Sequence, residues 1–338
     1  MNDVRTDLST DYLGLSLRNP LVASASPLTG SLDSLQALDE AGVGAVVLPS
    51  LFEEQVVHEA MIFGYHEADE ASFNPEAHGG YFPAMDDYNT GADRYLDLMV
   101  SAKRELTVPV IASLNGTSEG GWTHYASALE GEGADAVELN IYHLAADPDQ
   151  TAVEVEDRYL RLVEKVRSEI SIPLAVKVGP FFSSPANMAR RLAEAGADGL
   201  VLFNRFYQPD IDLETFDVAP DLELSTPVDM RLVLRWIAIM RGRVDAYLAA
   251  TSGVHDGVGA VKMILVGADV VMMASALLRY GPDHVATVLA DLGRWFDDRS
   301  YESVVQARGS MSQVSVPDPS AFERANYVKT ISSYHPDV

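Results

Sequence analysis

The stretch EAGADGLVLFN, residues 194–204, contains the pattern that decides the fold. Its first residues are typical of a helix end, Gly196 is a stop signal for that helix, and GLVL is a short apolar run that stops at a polar residue. Similar sequences precede three other apolar runs: EAGVGAVVL (40–48), GEGADAVEL (131–139) and LVGADVVMM (265–273). Each predicts a helix end, a glycine turn and the next strand, so the chain echoes one strand–helix unit.

Eight short apolar runs have the composition of strands that are buried on both faces, with Gly, Pro or Asp at their ends. They are PLVASA (20–25), AVVLPS (45–50), PVIASL (109–114), AVELNI (136–141), PLAVKV (173–178), GLVLFN (199–204), AYLAAT (246–251) and DVVMMA (269–274). Helical patterns lie between them. Residues 151–170 carry apolar residues on one face, and Ser184 with Pro185 predicts a cap and a first-turn proline for another helix.

Eight strand–helix units in one chain predict an α/β fold of the (β/α)8, or TIM, barrel type. The alternative is an open, doubly wound sheet, but no G-x-G-x-x-G phosphate motif follows the first strand. We expect a single domain over residues 1–338, with residues 311–338 as a peripheral tail. A long loop after the second strand, at residues 51–93, is expected to lie over the carboxyl-end mouth of the barrel.

The composition limits the classes of partner. Apolar residues make up 47%, enough for a large core, and 50 acidic against 24 basic residues give a net charge of −26. This charge disfavours nucleic acid and anionic membranes, which both attract basic patches. The absence of cysteine excludes disulfides and a cysteine nucleophile. No apolar run approaches the ~18 residues of a membrane span and no signal peptide is evident, so we expect a soluble, cytoplasmic protein.

Small or polar residues lie at the ends of the predicted strands, where the carboxyl ends of a barrel surround its active site. They are Ser24, Ala25, Ser26, Ser50, Ser113, Asn115, Asn140, Tyr142, His143, Lys177, Asn204, Thr251, Ser252, Gly253, Ala274 and Ser275. This set has neither paired carboxylates nor metal-ligand spacing. It indicates hydrogen bonding to a heterocycle, and no metal is expected.

Lys177 lies inside the apolar run PLAVKV, where a charge without a partner is costly. Its ammonium could stand beside the N1/O2 edge of a reduced flavin, form a Schiff base, or simply reach out of the strand end to solvent. After the last two strands, TSGVHDG (251–257) and ASALLRYG (274–281) place small residues and backbone N–H groups at helix starts. This pattern is typical of phosphate sites, although Ser and Gly also form ordinary turns.

Together these motifs resemble the dihydroorotate dehydrogenase family of FMN-binding barrels, over residues 11–311. The resemblance is carried, in the family's order, by YLGLSLRNPLVASAS, ADAVELNI, IPLAVKVGPFF, GLVLFNR, AATSGV, GADVVMMASALLRYGP and SYESVVQARGSMS. It implies an FMN-dependent oxidoreductase that removes two hydrogens across a C–C bond next to a carbonyl. A base takes the proton and FMN takes the hydride.

The resemblance also implies residue roles. Lys177 would touch the flavin ring, while Ser252-Gly253 and Ala274-Ser275 would hold the FMN phosphate. The other implied cofactor-binding residues are Ser24, Ala25, Ser26, Ser50, Ser113, Asn115, Asn140, Asn204 and Thr251. The implied substrate-binding residues are Asn89, Asn140 and Asn204.

Three departures from the family pattern concern the substrate. The family's base is a Cys or Ser in N-x-S-C-P-N, and His143 stands at that position, with Ala145 in place of the second Asn. Pro49 stands where the family has a lysine at the end of the second strand, and the polar asparagine loop after that strand is shortened. We predict His143 as the base because histidine changes charge near neutral pH. Tyr142 is the second candidate, and the alternative is that His143 is an exposed loop residue.

The expected substrate is therefore dihydroorotate or a related dihydropyrimidine or cyclic compound. One alternative is an FMN-binding electron-transfer or assembly subunit without small-substrate turnover. A further alternative is a flavin-free lyase that uses Lys177 as a Schiff base. The electron acceptor or redox partner stays open among fumarate, quinone, NAD and a flavoprotein, and a homodimer is expected from the resemblance. Any iron–sulfur relay would lie on a partner, because the chain has no cysteine.

Overall fold

Eight parallel strands close into a barrel in a computed structural model that describes residues 6–56, 91–205, 208–219, 222–324 and 326–332. The strands are β1 (Leu21–Ala23), β2 (Ala45–Phe52), β3 (Val110–Asn115), β4 (Ala136–Asn140), β5 (Leu174–Val178), β6 (Gly199–Leu202), β7 (Tyr247–Thr251) and β8 (Val270–Met273). Each strand pairs with the next along the chain, and β8 pairs with β1 to close the ring. The predicted (β/α)8 barrel and all eight predicted strands are confirmed.

Helices follow the strands along the chain. They are α1 (Leu32–Glu40), α2 (Ala92–Glu105), α3 (Tyr125–Gly131), α4 (Ala152–Glu169), α5 (Pro185–Glu194), α6 (Met230–Met240), α7 (Gly257–Val266), α8 (Ser275–Tyr280), α9 (His284–Asp297), α10 (Val304–Ala307) and α11 (Asn326–Ser332). Short 3-10 helices occupy Pro27–Thr29, Gly121–His124 and Pro319–Phe322. Two hairpins lie outside the barrel sheet, Thr10–Tyr12 with Leu15–Leu17 and Asp210–Ile211 with Val218–Ala219.

The starts of two predicted helices differ in how they are capped. In α4, Thr151 Oγ1 accepts a hydrogen bond from Glu154 N at 3.3 Å, and Glu154 Oε2 accepts one from Thr151 N at 2.8 Å. This capping box closes the first turn on itself. At α5, Pro185 occupies the first turn as predicted, but the Ser184 side chain accepts no capping hydrogen bond. The predicted serine cap is wrong in that respect, and the proline alone, with its fixed φ, favours the helix start.

The recurring Gly-Ala-Asp pattern has a structural cause in its aspartate. Asp135, Asp198 and Asp269 directly precede β4, β6 and β8, and each accepts a hydrogen bond from a backbone N–H of the preceding strand. These bonds come from Val110 N at 2.7 Å, Leu174 N at 2.8 Å and Leu248 N at 2.7 Å. Each aspartate also pairs with a cation of the helix, or helix end, that comes before that preceding strand: Lys103 of α2, Arg167 of α4 and Arg241 at the end of α6. The motif therefore ties a strand, a helix and the next strand together.

Pro49 lies at an irregularity in β2. The register between β2 and β3 shifts between Val47 and Ser50. Proline has no N–H to donate to a strand ladder and is confined to edges and bulges, which accounts for the shift. The backbone N–H of Ser113, which is paired in register with Ser50, donates a hydrogen bond to the Tyr95 hydroxyl at 2.8 Å. A side chain therefore satisfies this strand N–H.

The amino end of the barrel is plugged by the N-terminal hairpin. Tyr12, Leu13 and Leu17 are buried in one apolar cluster with alternate residues of the strands, such as Val201 and Ala249, because every second strand residue points inwards. A Cβ on Gly199, at the start of β6, would lie 2.6 Å from Leu13 Cδ2, so glycine permits this close approach. Ligands therefore have access to the barrel interior from the opposite, carboxyl end.

The described part of the tail after Gly309 contacts two outer helices. Met311 N donates to Leu265 O at 2.8 Å and Gln313 N donates to Ala238 O at 2.9 Å, which fixes it against α7 and α6. In the described part of the chain, no helix is both long and apolar enough to span a membrane.

Candidate functional site

A cavity at the carboxyl end of the barrel brings together many of the residues predicted to bind a cofactor. Its lining includes Ser24, Ala25, Lys177, Asn204, Thr251, Ser252, Gly253, Ala274 and Ser275. These residues come from β1, β5, β7, β8 and the loops after them and after β6, so tertiary structure unites strand ends that are far apart in sequence. The lining also includes residues that the sequence reasoning missed: Phe203, Arg205, Ser225, Val254 and Met272.

The remaining predicted cofactor residues lie outside this cavity lining. Ser50 and Ser113 are buried, and their hydroxyl oxygens are 2.8 Å apart. Asn115, at the end of β3, is paired in register with Asn140. Ser26 precedes a 3-10 helix, where its backbone N–H donates to Thr29 Oγ1 at 3.3 Å. Asn89 lies outside the described residues.

Asn140 and Asn204 are joined directly. Asn204 Nδ2 donates a hydrogen bond to Asn140 Oδ1 at 2.6 Å and another to Ile141 O at 3.2 Å. Both side chains are thereby fixed at the ends of β6 and β4. One amide, that of Asn204, lines the cavity, and the other holds it in place.

Lys177 does not reach out to solvent. The residue is 8% exposed, and its Nζ lies 3.5 Å from Oε1 of the fully buried Glu138. Glu138 was missed because it lies inside the run AVELNI and not at its end. Its sequence signal was its position two residues before Asn140, which in a strand places both side chains on one face. Within the described residues, Glu138 is the one hydrogen-bond partner of this ammonium, so further N–H donors remain for a ligand.

His143 lies on the loop after β4 and does not line the cavity. Its Nε2 is 3.3 Å from Gln150 Oε1, and its ring centroid is 6.5 Å from that of Tyr159. Burial raises the pKa of Tyr159 to about 12, while a hydrogen bond with the His143 backbone acts in the opposite direction. The imidazole is half-buried, and so is Tyr142. The imidazole therefore packs towards α4.

The loop after β7 is packed too closely for a side chain at Gly253. This glycine has φ +76°, and a Cβ there would lie 2.4 Å from Met230 N. Its N–H donates to Ser225 Oγ at 3.2 Å, and Ser225 N donates to Ser275 Oγ at 3.1 Å. Ser225 thus joins the loop after β7 to the start of α8. In sequence it is one serine in a polar segment, ELSTP, with no pattern to reveal this position.

The predicted phosphate pattern includes two helix starts, and one of them is capped by a carboxylate. The start of α7 carries its own carboxylate, because Asp256 Oδ1 accepts a hydrogen bond from Gly259 N at 2.7 Å. A capped helix start with a negative charge does not attract phosphate. The residues of this loop that line the cavity lie before the cap, from Thr251 to Val254.

His255 supports the same loop from behind. Its Nε2 is 3.5 Å from Ser225 Oγ, and its backbone oxygen lies 2.7 Å from Nε2 of His284. Burial lowers the pKa of His255, and the positive charge of Arg279 lowers it further. A neutral imidazole is therefore favoured next to this loop.

The donor set of the cavity fits an FMN-like ligand better than a metal. Serine hydroxyls and backbone N–H groups suit a phosphate, the carboxamide of Asn204 suits the polar edge of a heterocycle, and a buried ammonium suits negative charge on a ring. Across the ranges described, no three His, Asp or Glu side chains come together as metal ligands. The cavity thus combines anion-binding and heterocycle-binding groups on one barrel end.

The chain is similar to known proteins over most of its length. The family model for dihydroorotate dehydrogenase matches residues 74–296. The catalytic subunit of dihydroorotate dehydrogenase B (NAD(+)) from Methanothermobacter thermautotrophicus is 25% identical, over 89% of this chain and 97% of that protein. The proteins of the same name from Geobacter sp. strain M21 and Thermoplasma acidophilum are 26% and 25% identical. Those matches cover 91% and 88% of this chain and 99% and 96% of the relatives.

Proposed function

The chain belongs to the dihydroorotate dehydrogenase family, and we propose that it is an FMN-dependent oxidoreductase that acts on a CH–CH bond next to a carbonyl. The observation that carries this proposal is the buried Lys177 ammonium, which lines one cavity together with Asn204 and the serine loops after β7 and β8. Bound FMN would supply the hydride acceptor. The chain's own residues would orient the ring, hold the phosphate and move the proton.

The roles divide according to chemistry. Ser252, Ser275 and Ser225 would hold the phosphate through hydroxyl and backbone N–H groups. Asn204, fixed by its bond to Asn140, would direct its carboxamide at ring or substrate. Lys177 would stabilise negative charge on the reduced ring. The half-buried His143 would take the substrate proton after its imidazole turns away from Gln150.

Dihydroorotate or a related dihydropyrimidine is the proposed substrate class. Pro49 and Ala145 stand where the family supplies a lysine and an asparagine, which favours a relative of dihydroorotate. Lys177 and Arg205 both line the cavity, so cations remain for an acidic or carbonyl-bearing ring. The names of the relatives described above give NAD⁺ as the electron acceptor. NAD⁺ is therefore the electron acceptor that we propose for this chain. An electron-transfer partner would be required if iron–sulfur chemistry is involved, because the chain has no cysteine.

A Schiff-base lyase is disfavoured by the surroundings of Lys177. Nζ is paired with the Glu138 carboxylate at 3.5 Å, and a Schiff-base lysine would have to leave this pair to attack a carbonyl. Borohydride trapping of candidate carbonyl compounds at Lys177 would overturn this argument.

The decisive experiment is anaerobic reduction of the bound flavin. Purified protein, reconstituted with FMN where necessary, is expected to be yellow and to bleach with one member of a panel of dihydropyrimidines that includes dihydroorotate. Lys177→Met is the matched variant and should bind FMN more weakly. A protein that binds no FMN refutes the proposal. A protein that binds FMN but bleaches with dithionite and with no panel member favours the electron-transfer or assembly role instead.

A further inference from the structure

A fully buried carboxylate lies one layer below the ammonium of Lys177. Register pairing places Asn140 beside Lys177 and Glu138 beside Ala175, so Glu138 is nearer the amino end of the barrel. Glu138 is 0% exposed, and its Oε1 is 3.5 Å from Nζ of the lysine. The pair therefore stands between the cavity and the apolar barrel interior.

The second oxygen of this carboxylate is not used by the fold. Glu138 Oε2 has no hydrogen-bond partner in the part of the chain that the structure describes. Among the residues that face inwards next to it, Ala136 and Ala175 are apolar. Ser113, its register partner on β3, has its hydroxyl 2.8 Å from that of Ser50. The negative charge of Glu138 also acts on Tyr12 of the N-terminal hairpin. Burial raises the pKa of Tyr12, and the negative charges of Glu138 and Asp269 raise it further.

A buried carboxylate with only one of its two oxygens paired contributes little to the free energy of unfolding. Removing an ion from water is costly, and one long contact with an ammonium offsets only part of that cost. An apolar side chain of similar size at position 138 would fill the same space without this cost. The charge of Glu138 is therefore better explained by an effect on Lys177 and, through Lys177, on a ligand in the cavity.

We propose that Glu138 is a positioning residue that holds the Lys177 ammonium at the base of the cavity and offsets part of its charge. By doing so it limits how strongly the ammonium stabilises an anionic ring above it. This inference rests on the proposed function, because the ring is that of FMN.

The effect of Glu138 on a bound flavin is electrostatic. A flavin that takes up two electrons and one proton carries one negative charge more than its oxidised form. A lone ammonium attracts that charge, whereas an ammonium paired with a carboxylate attracts it less, because the two opposite charges partly cancel at a distance. Glu138 should therefore lower the reduction potential of the bound flavin. Glu138→Gln keeps an oxygen that can accept from the lysine but removes the negative charge.

The test is the equilibrium between the bound flavin and a reference dye, with dithionite as the reductant. FMN binding to the wild-type protein is measured first, and its absence refutes the proposed function without reference to Glu138. At a fixed potential, Glu138→Gln is expected to raise the ratio of reduced to oxidised flavin about tenfold, which is about 30 mV for a two-electron couple. The control, Glu132→Gln, removes an exposed carboxylate at the end of α3 and should leave the ratio unchanged.

An unchanged or lower ratio in Glu138→Gln would overturn the inference, because a residue that only supports the fold has no reason to shift the potential upwards. Circular dichroism and thermal unfolding establish that the variant is folded. If it is not, Glu138→Asp keeps the charge but withdraws it from the ammonium by one methylene. That variant should raise the ratio about threefold relative to wild type, from the weaker Coulomb interaction at longer distance, and an unchanged or lower ratio would again overturn the inference.

Discussion

Asn204 Nδ2 donates a 2.6 Å hydrogen bond to Asn140 Oδ1, which joins the ends of two strands that are 64 residues apart in the chain. Asn204 lines the cavity, and the bond fixes Asn140 against it. Two asparagines that look equivalent in the sequence thus differ, because of the two only Asn204 belongs to the cavity lining.

Replacing Asn204 by Ala should therefore impair the site more than the fold. We expect kcat/KM for the substrate found by flavin bleaching to fall at least about tenfold, since a lost hydrogen bond to a ligand removes about 1.5 kcal/mol. The free energy of unfolding should fall by only about 1 kcal/mol. Asn187→Ala, an exposed position on α5, is the control and should change neither quantity. Equal effects of the two substitutions on turnover would contradict the role of Asn204.

His143→Ala tests the candidate base. Positioned general bases contribute about 10²- to 10⁴-fold, so reduction of the flavin by substrate should slow at least about 100-fold. FMN affinity should stay unchanged, because His143 does not line the cavity. Gln150→Ala removes only the partner of the imidazole and should have a smaller effect. A wild-type rate of flavin reduction in His143→Ala would exclude this histidine as the base.

Gly253→Ala should damage the loop after β7. The positive φ alone costs about 1–2 kcal/mol for a residue with a Cβ, and the contact with Met230 N adds to this cost. We expect a lower melting temperature and weaker FMN binding, measured by differential scanning calorimetry and by fluorescence quenching. Gly131→Ala is a matched control, because a Cβ at Gly131 would meet no atom within 4 Å. Similar melting temperatures for the two variants would refute the packing argument.

The lowered pKa of His255 predicts a pH dependence of stability. The folded protein binds this proton less readily than the unfolded chain does, so the contribution is fully present above the unfolded pKa of about 6.5. It is lost as the pH falls through the lower folded pKa. Urea unfolding should therefore show a steeper loss of stability from pH 7 to pH 5 for the wild type than for His255→Asn. Parallel profiles of unfolding free energy against pH for the two proteins would show that His255 does not cause the loss of stability.

Asp269→Ala tests the Gly-Ala-Asp motif. Asp269 is 3% exposed, and its loss leaves Arg241, Arg308 and the N–H of Leu248 without their common partner. We expect a loss of about 3 kcal/mol in the free energy of unfolding, as for other buried pairs that lose one member. Asp135→Ala should cost less, about 1 kcal/mol, since its ion pair with Lys103 is more exposed. A larger loss of unfolding free energy in Asp135→Ala than in Asp269→Ala would show that burial does not determine how much these ion pairs stabilise the fold.

Whether a feature could be predicted from the sequence depends on how far apart in the chain its interacting residues are. The eight strands could be found because each is a continuous apolar run whose burial depends on its own composition. Lys177 stood out because a charge in such a run is conspicuous. Ser225 could not be found, because its role depends on contacts with Gly253 and Ser275, which are 28 and 50 residues away.

The sequence by itself determined the barrel, the order of its strands and the end at which polar side chains collect, since these follow from local hydrophobic periodicity and from the chirality of strand–helix units. Tertiary structure alone decided which of those side chains share a cavity. It turned His143 towards Gln150 and Tyr159, capped α7 with Asp256, and placed the charge of Glu138 against Lys177. Each of these outcomes depends on distances between residues that close only when the barrel does, and no local pattern contains them.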